Sequence, residues 1–245
     1  MNYQWQWDLF LQISPDYGEA YWLLFLKGIG WTLALSCCSW IIALGAGALV
    51  GILRTLNPAL PRWFSLCYVQ FFRGIPLLVQ MFLWYFILPQ LIAPMKTWAI
   101  ETDPMMVQFV LATICLGLYT SARIAEQVRS GINALSTGQT HAAKALGLDG
   151  IQTYKEIILP QTFRIILPPL TSEAMNLIKN SSIAMTIGFA EITFRAREAG
   201  ETTFAYFESF LVATLAYVLI ALTANRISAA LERRNAAKPA WGGGV

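Results

Sequence analysis

The chain has 245 residues, 56% of them hydrophobic and only 13% charged, with a mean hydropathy of +0.53. Soluble domains carry about 25% charged residues, so this composition excludes an ordinary soluble domain and points to a membrane protein. A net charge of +3 without a block of like charges excludes a nucleic-acid partner.

Residues 1–27 come first, with Tyr3, Trp5, Trp7 and Phe10 set among polar neighbours. Amphipathic rings favour the bilayer boundary, so this stretch reads as an interfacial segment on the outer face. Asp8 and the absence of a basic leader argue against a cleaved signal peptide. Five apolar stretches follow, at roughly 30–53, 77–94, 106–122, 165–188 and 208–230, each near the length a bilayer core demands. Their polar connections are too short for a second domain, so 1–245 is one all-α transmembrane domain with a flexible Gly-rich tail at 236–245. The glycines of "GAGALVG" (45–51) have no following lysine and read as close helix-packing positions. Cys37, Cys38, Cys67 and Cys115 lie in or beside apolar runs and show no metal-ligand spacing.

Basic residues set the orientation. Arg54, Arg62, Arg73, Arg123, Arg129, Lys144, Lys155, Arg164, Arg226, Arg233, Arg234 and Lys238 fall on one side; Lys27, Lys96, Arg195 and Arg197 fall on the other. The N-terminus is therefore expected outside, the C-terminus inside, and the polar segment 131–160 in the cytoplasm.

That segment contains "THAAKALGLDGIQTYKEIILP" (140–160). Ser136 with Gln139 has capping-box spacing, so a helix is predicted from Thr137 to Leu146, with Gly147 as its stop. Asp149 with Gln152 repeats the start signal, and the second short helix is expected to end before Pro160. The first helix offers Ala142, Ala143 and Leu146, and the second Ile151, Tyr154 and Ile158. Small apolar faces of this kind suit insertion into a groove on a partner; packing on the chain's own bundle is the alternative. His141, the only histidine, reads as a solvated loop residue.

"FRGIPL" places Gly74 as the end of an interfacial helix over about 62–72 and Pro76 in the first turn of the next span. Arg73 there is a cytoplasmic-interface cation. The fourth span is the costly one. Ser172, Glu173, Asn176, Lys179 and Asn180 share an arc of roughly 120° at helical spacing, and a charge at mid-bilayer costs at least about 2.5 kcal/mol. The functional reading is the lining of a solute pathway, with Pro168 and Pro169 leaving carbonyls toward a cavity. An internal ion pair that only holds the bundle together is the alternative.

"HAAKALGLDGIQTYKEIILP" resembles the EAA motif of ABC-importer permeases, with Ala142, Ala143, Gly147, Leu159 and Pro160 matching and His141 standing at the glutamate position. "YVQFFRGIPLLVQ" (68–80), which holds Arg73, Gly74 and Pro76, resembles the signature of the polar amino-acid branch. "GIGWTLALS" (28–36), "EQVRSGINALSTGQ" (126–139) and "LPPLTSEAMNLIKNSSIA" (167–184) resemble that branch in the right order. "LTSEAMNLIKNSSIAMTIG" looks closest to glutamate/aspartate permeases. The resemblance implies a type I ABC-importer transmembrane domain in the bacterial inner membrane and makes 131–160 its coupling hairpin. Ala142, Ala143, Leu146, Gly147, Ile151 and Tyr154 would then face the ATPase. The partners it implies are a second permease subunit (identical or paralogous), two ATPase subunits and an extracytoplasmic amino-acid-binding protein. The chain itself would be non-catalytic and bind no cofactor, the ATP being used by the partner. A self-sufficient ion- or proton-coupled transporter centred on Glu173 is the competing expectation; it would favour inverted repeats, which five spans do not show.

Overall fold

A computed structural model describes residues 3–56 and 59–236. The expected flexible tail lies, apart from Ala236, outside the described residues. A 3₁₀ turn at Trp7–Leu11 precedes α1 (Tyr21–Leu53) and α2 (Ala59–Gly74). Next come α3 (Leu77–Phe82), a π turn (Leu83–Ile87), α4 (Leu88–Leu91) and α5 (Ala93–Glu101). The long α6 (Pro104–Asn133) leads to α7 (Thr137–Ala145), α8 (Gly150–Gln152), a second π turn (Thr153–Ile158) and α9 (Leu159–Asn180). A 3₁₀ stretch (Ser181–Ile187), α10 (Ile192–Thr203) and α11 (Tyr206–Ala236) complete the order.

The helices cover the five apolar stretches, with longer ends. α1 starts nine residues before the expected span because Lys27 does not end it: its ammonium reaches back to Glu19 at the helix entrance. Three helices, Tyr21–Leu53, Pro104–Asn133 and Tyr206–Ala230, are each long and apolar enough to cross a membrane, and α2 with the broken run after it forms a candidate fourth. α9 is more polar, for the reason set by its arc of Ser172, Glu173, Asn176, Lys179 and Asn180.

Contacts divide the chain into two compact units. The first comprises Met1–Ile41, Ile75–Gly117 and Asn176–Leu222. Its core packs Leu9, Tyr21, Leu24 and Phe25 against Ile192, Ala196, Ala199 and Ala213. Alanines on α10 and α11 let the helices approach closely, and Trp31, Phe109 and Phe189 add a three-ring cluster with centroids 5.6 to 5.9 Å apart. The second unit comprises Ile42–Gly74, Leu118–Met175 and Thr223–Val245. Here α1 meets α6 through glycine: a Cβ at Gly47 would stand 2.7 Å from Ile124, and one at Gly51 2.6 Å from Val128. Those two positions use the missing side chain as the sequence suggests, while Gly45 faces open space. Val50, Val69, Phe72, Ala122 and Ala125 close the core around this contact.

Candidate functional site

The hairpin is built by local hydrogen bonds, all within the second unit. Ser136 caps α7, but its hydroxyl accepts from the Gly138 N–H, not from Gln139. The Gln139 side chain turns instead to Gln161, donating at 2.9 Å, so Ser136 caps the helix but neither bond of the expected box forms. At the other end Gly147 has φ +82°, its N–H bonds to the Lys144 carbonyl and the Leu148 N–H to the Ala143 carbonyl. This is a Schellman stop, which needs the left-handed conformation that glycine adopts without strain. Asp149 and Gln152 then form a complete capping box, at 2.8 and 2.9 Å.

Two expectations fail here. The second helix does not end before Pro160; it runs through the π turn into α9, and Leu159 keeps helical dihedrals of φ −63° and ψ −42°. The wider turn relieves the clash between the proline ring and the carbonyl four residues back, so the chain absorbs Pro160 without stopping. The second correction concerns faces. Ala143 is 1% exposed and turned inward, Ile158 is buried, and Tyr154 is half-buried with its hydroxyl 3.1 Å from that of Thr55. The exposed face consists of His141, Ala142, Lys144, Leu146, Gly147 and Ile151, with Leu146 80% and Ile151 81% exposed. A pair of naked aliphatic side chains on either side of a glycine stop is a costly surface to leave in water.

The signature residues converge in a way that spacing did not reveal. Glu126 on α6 receives Arg54 from the end of α1, Arg129 one turn along α6 at 3.0 Å, and Arg73 from the last turn of α2 at 3.6 Å. Gly74 ends α2, and Pro76 precedes α3 as its cap with extended ψ rather than entering the first turn. "FRG" and "EQVR" are therefore two halves of one ion cluster. The only signal was the isolated acid of 126 in a basic stretch.

On α9, Glu173 is buried and accepts from Arg123 Nε at 2.8 Å and from Gln127 Nε2 at 3.3 Å. Gln127 also reaches the Pro169 carbonyl at 3.5 Å, beside the proline pair that lies inside α9. The Arg123 side chain remains 43% exposed. Further round the arc, Ser172 and Lys179 are exposed and Asn176 and Asn180 half-buried. None of these four side chains makes a hydrogen bond or ion pair with a described residue.

Comparison with known proteins places this architecture. The sequence profile described as "Binding-protein-dependent transport system inner membrane component" matches residues 43–236. The glutamate/aspartate import permease protein GltJ of Escherichia coli K12 is 41% identical over 237 residues, 96% of each chain. The arginine transport system permease protein ArtQ of Bacillus subtilis is 35% identical, covering 85% of this chain and 91% of that one. Among solved structures, an amino acid ABC transporter crystallised with histidines superposes with a TM-score of 0.73 at 29% identity, covering 87% of this chain and 95% of that one. The MetNI methionine ABC transporter shares the fold alone, with a TM-score of 0.63 at 18% identity over 85% of this chain and 96% of the other. Long apolar helices, the glycine-stopped hairpin and the profile match agree: the chain belongs to the family of binding-protein-dependent transport system inner membrane components.

Proposed function

We propose that the chain is a permease subunit of an ATP-driven importer that carries glutamate and aspartate across the bacterial inner membrane. It spans the membrane five times, with the N-terminus outside and the hairpin of α7 and α8 in the cytoplasm. One observation carries the coupling role: Ala142, Leu146, Gly147 and Ile151 form an exposed apolar face on a hairpin whose inner face is already satisfied. Such a face suits a groove on the partner ATPase, where closure of two ATPase subunits would draw the hairpins together. The ATP is hydrolysed by that partner, and this chain binds no cofactor.

The second permease subunit is a paralogue in this reading. One strain, Escherichia coli O6:H1, has two relatives, GltJ at 41% and GltK at 30% identity, both named as glutamate/aspartate import permeases. An extracytoplasmic binding protein, on which the family's name turns, delivers the amino acid. The comparisons support this importer and lend nothing to the ion-coupled transporter.

The solute passes along the arc of Ser172, Glu173, Asn176, Lys179 and Asn180. Lys179 offsets the acidic side chain of the solute, and Asn176 serves the head group. What supports this assignment is the unused hydrogen-bonding capacity of the arc, in a helix where polar groups are costly. Leu146→Asp and Ile151→Asp test the coupling face: each should lower ATPase co-purification by about tenfold while the protein still inserts. Ala143→Asp is the control, since a charge on the inward face should damage folding first. Unchanged co-purification in both surface variants would mean that the hairpin is only a loop. Glu173→Gln tests the pathway: unchanged uptake and substrate preference would assign Glu173 to the internal pair with Arg123 alone.

A further inference from the structure

Within the first unit, the π turn Leu83–Ile87, the short helices α4 and α5 and the start of α6 line an open cleft of about 370 Å³. Tyr85, Phe86, Gln90, Lys96, Ile100 and Pro104 are among its walls. Tyr85 and Phe86 sit in the π turn Leu83–Ile87. An extra residue in one helical turn re-aims the side chains on it, and such turns collect at functional sites. Three polar side chains line the space from different elements: Tyr85, Gln90 and Lys96. None has a hydrogen bond or ion pair with a described residue. The other cations on this side of the charge asymmetry are all engaged, Lys27 with Glu19, Arg195 with Glu198 and Arg197 with Glu201.

We propose that this cavity receives an aspartate or glutamate side chain of the extracytoplasmic binding protein when it docks. The inference rests on the functional reading above, which puts this end of the chain outside. Charge complementarity selects a carboxylate, because Lys96 is the one unpaired cation of that side among the described residues. Tyr85 and Gln90 can donate to the same group. The walls contain no aspartate or glutamate. A free amino acid would therefore bring an ammonium that finds no counter-charge, whereas an acidic side chain brings only its carboxylate and an apolar stem. Phe86, Ile100 and Pro104 suit that stem.

The test uses the assembled permease–ATPase complex in nanodiscs, titrated with glutamate-loaded binding protein while ATP hydrolysis is followed. Lys96→Gln should raise the half-stimulating concentration about two- to fivefold, the range of a partly exposed ion pair. Lys96→Glu should raise it further, and high salt should erase both differences. Basal and maximal rates should stay at wild-type values. A matching acid-to-lysine change on the binding protein should restore Lys96→Glu. Equal half-stimulating concentrations in wild type and both variants would overturn the proposal. Binding of radiolabelled glutamate alone, lost in Lys96→Gln, would reassign the cavity to free solute and overturn it equally. A wild-type complex deaf to any loaded binding protein would overturn the functional reading, and this proposal with it.

Discussion

Glu126 and Glu191 are both carboxylates held inside the chain, one in each compact unit, yet the fold satisfies them by opposite means. Glu126 is met by three guanidinium groups, from Arg54, Arg73 and Arg129. Glu191 is fully buried and pairs with no cation among the described residues. It caps α10 through the Phe194 N–H at 2.9 Å and accepts from the hydroxyls of Tyr217 at 2.6 Å, Thr193 at 3.2 Å and Thr32 at 3.5 Å. Burial outweighs these donors and pushes the Glu191 carboxyl above the ordinary carboxylate range. The contrast follows the charge asymmetry of the sequence: the arginine-rich side stores excess positive charge around one acid, while the other side uses neutral donors. Charge fixes the ends of α1, α2 and α6 together; hydroxyls fix the start of α10 against α1 and α11.

Removing the acid from each place should therefore give unequal damage. Glu126→Ala leaves three arginines facing one another, and a loss of about 3 kcal/mol is expected, at the lower end for a broken buried pair because Arg73 and Arg129 keep access to solvent. Thermal unfolding of the solubilised protein measures it. A loss below about 1 kcal/mol would show that the arginines relax to solvent and that the cluster is ornamental. Tyr217→Phe comes next. It takes the shortest bond from Glu191 and should cost about 2 kcal/mol, the usual value of a hydrogen bond to a charged group. If Thr193 and Thr32 compensate fully, the change will be undetectable and the neutral-donor account of Glu191 fails.

The smallest effect is the one that separates the two acids by pH. A carboxyl whose folded pKa is raised favours its neutral form in the fold. Its contribution is fully present below the ordinary glutamate value of about 4.3 and lost as pH rises through the raised value. Wild-type stability should thus fall relative to Glu191→Gln as pH rises above about 4.3, by a shift of a few degrees in Tm. Parallel curves for the two proteins would contradict the raised pKa.

What could be read from the sequence tracks the range of the interaction. The Gly147 stop and the Asp149–Gln152 box are set by neighbours within a few residues, and both form as spelled. The apolar stretches are legible for the same reason. The faces of the hairpin are not, because a helical wheel says which residues share a side but not where the rest of the chain lies. Ala142 and Ala143 are adjacent in sequence and opposite in exposure. Pro160 misleads for a local reason: proline rules assume an α-helix, and the π turn at Thr153–Ile158 changes the geometry. The Glu126 cluster joins residues from three helices, so no window of sequence contains it. The polar arc of α9 was legible as an arc, but Arg123 and Gln127, which hold Glu173, lie on another helix and carry no signal of their own.

In the proposed function, ATP drives transport through a partner seated on the hairpin. Uptake of radiolabelled glutamate into proteoliposomes tests it most directly, with the loaded binding protein on the extracytoplasmic face, ATP on the other, and ionophores collapsing all ion gradients. The account predicts uptake that persists under ionophores, stops without ATP and falls with Leu146→Asp in step with the loss of bound ATPase. Uptake that follows the ion gradients and ignores ATP would contradict it.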